Sequence, residues 1–487
     1  MSDMKQSSLA IDQDAAGLKK MGYEQELHRH MGSFSNFAIS FSIICILAGG
    51  ITAFPQALGA GGGASVGIGW LVGALFAVIV ALSMAKISSS YPTAGGLYHW
   101  GSILGGKGYG WCTAWFNLLG LIFVVASVNY GVYDPFFKTL ISPLVGFDVP
   151  TTVFIASITA IQAILIYRFP KFTTKITDVS GYLIFVLAVV LTLSLLAYHQ
   201  GPLDFGRLFT FTNFTGTEGS VWPKTEGMLF PFLSGLLLTV YTITGFDASA
   251  HTSEETRDAA NAVPKGIINS VIYSAIFGYI MICTFVLVIP DLAAGVKQGL
   301  GFFDALLSSL PTGLKTILGI GIFSVNFLCG LACLTSCSRM MFAFARDGGL
   351  PASNFLRTIS PTLKTPVAAV WVSAILAVAA TLYGDAFVVL STGSAVFLYI
   401  SYVMPVAAGL LAEGKTWTHK GPFNLGGMSK LIGSAAVIGG AFLVFVGIQP
   451  PNEKVLYLTI AMLVVMGIFW FMFGERNRFK GPPSVKE

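Results

Sequence analysis

Tyr241, Thr242, Thr244, Gly245 and Asp247 lie in the stretch YTITGFD, at the end of an apolar run that otherwise reads as a membrane-crossing helix. A carboxylate at that depth costs several kcal/mol even on lenient insertion scales, so its presence signals function or a buried partner. Asp247 has four readings: a ligand for a cationic solute, a proton carrier, a gate residue hydrogen-bonded across a pathway, or a carboxylate anchored on the first amides of a half-helix. Thr244 and Gly245 are residues that let a helix come apart. The carbonyls freed at the end of the outer half carry partial negative charge and suit an ammonium group. Tyr241 adds a ring face for the same cation.

A second stretch, ILAGGITAFPQAL, has the same character. Ala48, Gly49, Gly50 and Ile51 strip side-chain bulk from mid-helix, so that a ligand can touch the backbone. Amides opening the following half-helix suit a carboxylate. The alternative is a close helix crossing through small residues. Taken together, the two stretches offer an anion seat and a cation seat, which is what a small zwitterion needs.

The elements that carry these residues follow from composition. Of 487 residues, 54% are hydrophobic and 10% are charged. Soluble domains are about 25% charged, and this chain has repeated apolar runs of the length that crosses a bilayer. The expected class is therefore an all-α membrane protein with twelve spans, near 34–58, 66–88, 110–134, 149–167, 176–198, 228–250, 266–290, 313–343, 366–383, 386–411, 431–449 and 455–474. The two interrupted spans are the first and the sixth. Each opens a set of five, and because five is odd the second set runs inverted: a 5+5 inverted repeat with discontinuous helices 1 and 6, the layout of secondary transporters with a midplane site. The expected division is a tail (1–33), a first repeat (34–198), an external loop (199–227), a second repeat (228–411), two peripheral helices (431–474) and a second tail (475–487).

Orientation follows from charge. With a cytoplasmic N-terminus, 22 of the 28 Lys and Arg residues fall on that side. This is the positive-inside pattern, so both termini are expected to be cytoplasmic in a plasma or bacterial inner membrane. Residues 1–33 contain no apolar segment of the signal-peptide kind, and the first span is expected to direct insertion itself. Loop 199–227, aromatic and polar, is expected to cap an entrance, and it holds a glycosylation sequon at Asn213. Loop 89–109 reads as re-entrant or interfacial, with Tyr98 and Trp100 suited to the headgroup zone.

Several function classes are excluded. No basic run resembles a nucleic-acid surface. None of the six cysteines has the placement of a disulfide framework, and Cys329, Cys333 and Cys337, on one helix face, read as small packing residues. There is no HExxH, no GxSxG with partners and no P-loop. The chain is expected not to be an enzyme and to need no cofactor. Without a nucleotide site, uphill movement of solute must be driven by a proton or sodium gradient or by exchange.

Among other polar residues in the spans, Asn326 and Tyr399 are candidates for the pocket or gate. Asn117, Asn129, Asp178 and Tyr402 are expected to serve interhelical hydrogen bonds. Glu254 and Glu255 are expected to pair with Arg257, Arg339 or Arg346, and His251 to sit at the interface.

The strings SNFAISFSIICILAGGITAFPQAL, SMAKISSSYPTAGGLYHW, YTITGFDASAHTSEET, RDGGLP and GPFNLG together resemble the amino acid–polyamine–organocation superfamily, and within it the amino acid/choline transporter branch that includes GABA permeases. The resemblance covers nearly the whole chain. It implies a leucine-transporter-type fold, with a substrate carboxylate at Ala48, Gly49, Gly50 and Ile51. The amino group would lie at Tyr241, Thr242, Thr244 and Gly245. Asp247 stands where many relatives carry a gating glutamate. Helix 5 lacks the interior lysine that some proton-coupled relatives use. The implied function is alternating-access transport of an amino acid, GABA or a similar zwitterion. Choline or polyamine transport is the alternative, and a channel or nutrient sensor ranks lower. The expected partners are that small solute and the bilayer.

Overall fold

The computed structural model describes residues 2–382, 386–450 and 452–483, which form helices joined by loops, with two isolated β-bridges as the only extended pairing among them. Tyr383, which ends the ninth expected span, and Met1 and residues 484–487 of the expected tails lie outside the described residues. Among the described residues, ten helices are long and apolar enough to cross a membrane, and two shorter apolar stretches, Leu229–Thr242 and Val367–Ala380, fall where the sixth and ninth spans were expected. Helix is the natural outcome for these runs, since in hydrocarbon it satisfies each backbone group within its own segment.

Burial separates centre from periphery. The most apolar windows of Ser33–Thr52 and Lys107–Val145 are 83% buried, whereas that of Glu453–Phe471 is 17% buried. The outer helices turn Ile438, Phe442, Leu463, Val464 and Phe471 outward. Such an apolar exterior is stable only against lipid, and the protein is a multi-pass integral membrane protein.

The first span is interrupted as expected, but at a different residue. Helix Ser33–Ile44 ends at Cys45, whose backbone (φ −1°, ψ 91°) is not helical, and helix Ile46–Thr52 begins directly after it. A second joint at Ala53 leads into Phe54–Gly61. Ala48, Gly49, Gly50 and Ile51 were expected to form the unwound stretch; they lie inside the short helix instead. Their backbone groups find partners more cheaply by staying helical in a buried, water-poor setting, and the glycines act as contact surfaces. In the sixth span, helix Leu237–Thr242 stops at Ile243, and Gly245 takes φ +93°. The chain resumes as the single turn Ala248–His251.

The N-terminal segment packs on the face of the bundle where this turn ends. Helix Ser2–Lys20 presents Asp14, whose carboxylate accepts the N–H groups of Asp258 and Ala259 at 2.7 and 3.1 Å. It thereby caps helix Ala259–Val288 from a distant part of the chain. Met31 and Thr256 form a parallel bridge, and Tyr23 donates to Asp347 at 2.7 Å. Phe479, near the C-terminal end of the described chain, packs on Tyr98 and Phe344. This is called the terminal face below.

On the opposite face the 199–227 loop folds back over the bundle. Trp222 is buried and donates to the Gln56 carbonyl at 2.6 Å, and Arg207 donates to the Ile289 and Pro290 carbonyls. The helix Leu97–Gly105 in the 89–109 loop departs from expectation. Tyr98 and Trp100 are fully buried, with Tyr98 donating to Asp347 and Trp100 to the Tyr91 carbonyl, so they do not face headgroups.

Candidate functional site

The two interruptions meet. A Cβ on Gly49 would stand 2.9 Å from Oγ1 of Thr242 and 3.0 Å from its Cα, and one on Gly245 would lie 2.1 Å from Cγ2 of Ile43. Only glycine allows these approaches, and at Gly245 the positive φ demands it as well. Ala48, Ile51, Tyr241 and Thr244 are buried around the same junction.

Backbone groups released by the breaks are partly taken up by neighbouring helices. Cys329 on helix Thr312–Arg346 donates to the Ile43 carbonyl at 3.3 Å, and Asn326, one turn earlier, reaches the Leu47 carbonyl at 3.5 Å. From helix Ala386–Ala412, Tyr399 donates to the Ile243 carbonyl at 2.9 Å. Ser40 donates to the Phe246 carbonyl at 3.0 Å. Thr244 turns its hydroxyl back onto the Val240 carbonyl, and Tyr241 donates to Ser127 at 3.1 Å. Among the described residues, the carbonyls of Tyr241 and Thr242 receive no hydrogen bond. Asn326 and Tyr399, named from sequence as pocket or gate candidates, thus each touch one interruption.

Asp247 lies in a fully buried polar cluster on the terminal side of this junction, linked to Gly245 through the Tyr402 hydroxyl. Tyr402 donates to its Oδ1 at 2.8 Å, while Asn117 donates to Oδ2 at 2.9 Å and His251 Nε2 lies 3.1 Å from the same oxygen. Its partners are side chains from two other helices and its own next turn, and not the backbone amides that an anchor role requires. His251 was expected at the interface and is instead completely buried. The reason is the 247/251 spacing, which stacks the two side chains on one helical face. Asn117 and Tyr402 were expected to make interhelical hydrogen bonds and do so, but their convergence on Asp247 was not expected. Only the i, i+4 relation of Asp247 and His251 was legible beforehand.

Below the cluster the terminal face is closed by ion pairs. Arg346 holds Glu254 at 3.0 Å and Arg339 holds Glu255 at 2.8 Å, two of the three pairings expected. Burial pushes the Glu255 carboxyl up, but the Arg339 guanidinium more than offsets this and leaves it below the ordinary range. Burial pushes the Asp347 carboxyl up, Arg346 and the hydroxyls of Tyr23 and Tyr98 only partly opposing it. Asn36 ties the two inner half-helices together, donating to the Ser249 carbonyl at 2.8 Å and Thr256 Oγ1 at 3.0 Å. Cys329, Cys333 and Cys337 are buried free thiols, and no group of His, Cys, Asp or Glu among the described residues has metal-ligand spacing.

Comparison with known proteins gives a consistent family. Residues 31–472 match the family model described as "Amino acid permease". The chain is 33% identical to the amino-acid permease BAT1 of Arabidopsis thaliana, over 97% of each chain. It is 32% identical to the BAT1 homolog of Oryza sativa, over 97% of this chain and 96% of that one. A GABA-specific permease of Saccharomyces cerevisiae is 29% identical over 72% of this chain and 63% of its own length.

Proposed function

The chain belongs to the amino acid permease family, and on that premise we propose that it carries a small zwitterionic amino acid, GABA or a close analogue first among them, by alternating access through the junction of its two interrupted helices. The observation that carries this reading is the contact between the interruptions, Gly49 against Thr242 and Gly245 against Ile43. In our reading the substrate carboxylate lies on the amides opening helix Ile46–Thr52, beside Ala48, Gly49, Gly50 and Ile51. Its ammonium lies on the free carbonyls of Tyr241 and Thr242, beside Thr244 and Gly245. The contact at Gly49 leaves no room for a Cβ, so the interruptions part to admit substrate. Twelve passes arranged as a 5+5 inverted repeat, with both termini cytoplasmic in a plasma or bacterial inner membrane, complete the proposal.

A choline or polyamine permease of this fold would need an anionic side chain in the seat. Asp247 is already committed to three side-chain partners, which disfavours that alternative. The test is uptake into proteoliposomes of labelled GABA, other amino acids, choline and putrescine. Saturable uptake of zwitterions, inhibited by each other and not by choline or putrescine, supports the proposal; preference for the pure cations overturns it.

A further inference from the structure

We propose that Asp247 and His251 form the proton-coupling element of this transporter, a pair that holds one proton while the terminal face is closed and gives it up to water when that face opens. The proposal rests on the transport function argued above and names the driving ion. It is carried by counting donors and acceptors. His251 Nδ1 lies 3.2 Å from the Ala94 carbonyl oxygen, which can only accept, so Nδ1 carries a hydrogen. Nε2 lies 3.1 Å from Asp247 Oδ2. If the carboxylate is ionised it only accepts, so Nε2 also carries a hydrogen and the ring is an imidazolium. If the ring is neutral, its Nε2 lone pair requires the proton on Oδ2. In both cases one proton lies between the two atoms and the pair is neutral overall.

Taking that proton away would set two lone pairs against each other and leave a net negative charge, hydrogen-bonded by Tyr402 and Asn117 but with no cation against it, where both side chains have 0% exposure. A buried ion with no opposite charge beside it is disfavoured. The neighbouring groups supply hydrogen bonds but no positive charge. Tyr402 accepts the Gly245 N–H at 3.0 Å, which commits its own hydrogen to Asp247 Oδ1. Asn117 is neutral and already donates to Oδ2, and Tyr399 spends its hydroxyl on the Ile243 carbonyl. On the terminal side the charges are paired: Glu254 with Arg346, Glu255 with Arg339, and Asp347 beside Arg346 and the hydroxyls of Tyr23 and Tyr98. His99, from helix Leu97–Gly105, is buried on the same side.

Ala94 links the pair to the gate. Its carbonyl accepts from His251 and its N–H donates to Glu254 at 3.0 Å, so parting the terminal face pulls on both. Water then reaches the pair, the bond holding the shared proton breaks, and the proton passes to water on that face. Loading occurs from the other face, where parted interruptions expose the Tyr402 hydroxyl at Gly245. A hydronium ion on that face gives a proton to the Tyr402 oxygen, leaving water, as the hydroxyl's original hydrogen moves to Asp247 Oδ1. Each cycle moves one proton with one substrate.

The experiment uses the full-length protein in proteoliposomes with the membrane potential clamped. Counterflow of labelled GABA establishes exchange, an imposed pH gradient tests accumulation, and an entrapped pH dye reports proton entry. The wild type is expected to accumulate substrate about tenfold per pH unit, since one pH unit equals a tenfold concentration ratio. His251→Gln is expected to keep counterflow and lose this accumulation. The double variant Asp247→Asn/His251→Gln, which keeps neutral hydrogen-bonding groups at both positions, is expected to behave likewise and serves if the single variant does not fold. Wild-type counterflow without gradient-driven accumulation or proton entry overturns the coupling and leaves the transport reading standing. Absence of any amino acid counterflow overturns both. Accumulation in His251→Gln equal to wild type, or loss of exchange in folded forms of both variants, overturns the assignment to this pair.

Discussion

Oγ1 of Thr242 lies 2.9 Å from where a Cβ on Gly49 would stand, so the two interrupted helices rest on each other through a single missing methyl group. The neighbour on that side is backbone as well as side chain, because Thr242 Cα is at 3.0 Å. A larger residue at 49 therefore has nowhere to go without separating the two interruptions. Gly49→Leu is expected to abolish uptake without stopping membrane insertion. Normal uptake by that variant, measured beside its abundance in the membrane, would discredit the seat.

Gly245 is constrained twice, by φ +93° and by the approach of Ile43. Gly245→Ala is expected to lose about 1–2 kcal/mol to the left-handed backbone alone, plus the overlap with Ile43. Thermal unfolding in detergent reads this directly. Adding Ile43→Ala is expected to recover part of the loss, the part due to overlap. No recovery would show that the backbone term accounts for all of it.

Tyr402→Phe removes one donor to Asp247 and the acceptor of the Gly245 N–H. Leaving a buried polar group unpaired costs about 1–3 kcal/mol. The variant is expected to be less stable than wild type by that order and to transport at least tenfold more slowly. Wild-type stability in a denaturation series would show that water or a rearranged side chain supplies both bonds.

The Glu254–Arg346 pair closes the terminal face at a buried position, with 0% side-chain exposure at Glu254. Removing one partner of such a pair costs about 3–5 kcal/mol, because the other charge is stranded. Glu254→Gln is expected to loosen the closed face and make buried Cys45 and Cys329 react faster with a membrane-permeant maleimide. Unchanged labelling would mean that the pair does not hold the face shut.

Glu255 gives a pH prediction. Its carboxyl lies below the ordinary value because Arg339 outweighs burial. Its stabilisation is therefore present above the unfolded pKa of about 4.3 and lost as pH falls through the lower folded value. Wild type is expected to be more stable than Glu255→Gln at pH 7, with the difference shrinking once pH drops below about 4.5. A difference constant down to pH 3 would contradict the assignment.

Sequence alone determined the helical membrane class, the approximate position of each apolar run, and the fact that the first and sixth runs are unusual. These depend on local chemistry: an apolar run must be helix in hydrocarbon, and YTITGFD holds a glycine and a carboxylate that a plain span would not carry. The two acidic residues Glu254 and Glu255 announced ion pairs, because charge beside a buried surface needs a partner. Sequence did not say where the first helix comes apart. Gly49 and Gly50 look like the weak point, yet they remain helical and the chain breaks at Cys45, where Cys329 donates a hydrogen bond to the freed Ile43 carbonyl. Nor did it show that Asn117, Tyr402 and His251 converge on Asp247. Those residues are separated by up to 285 positions of chain, and hydrogen bonds at such separations depend on how helices pack, which local patterns do not encode.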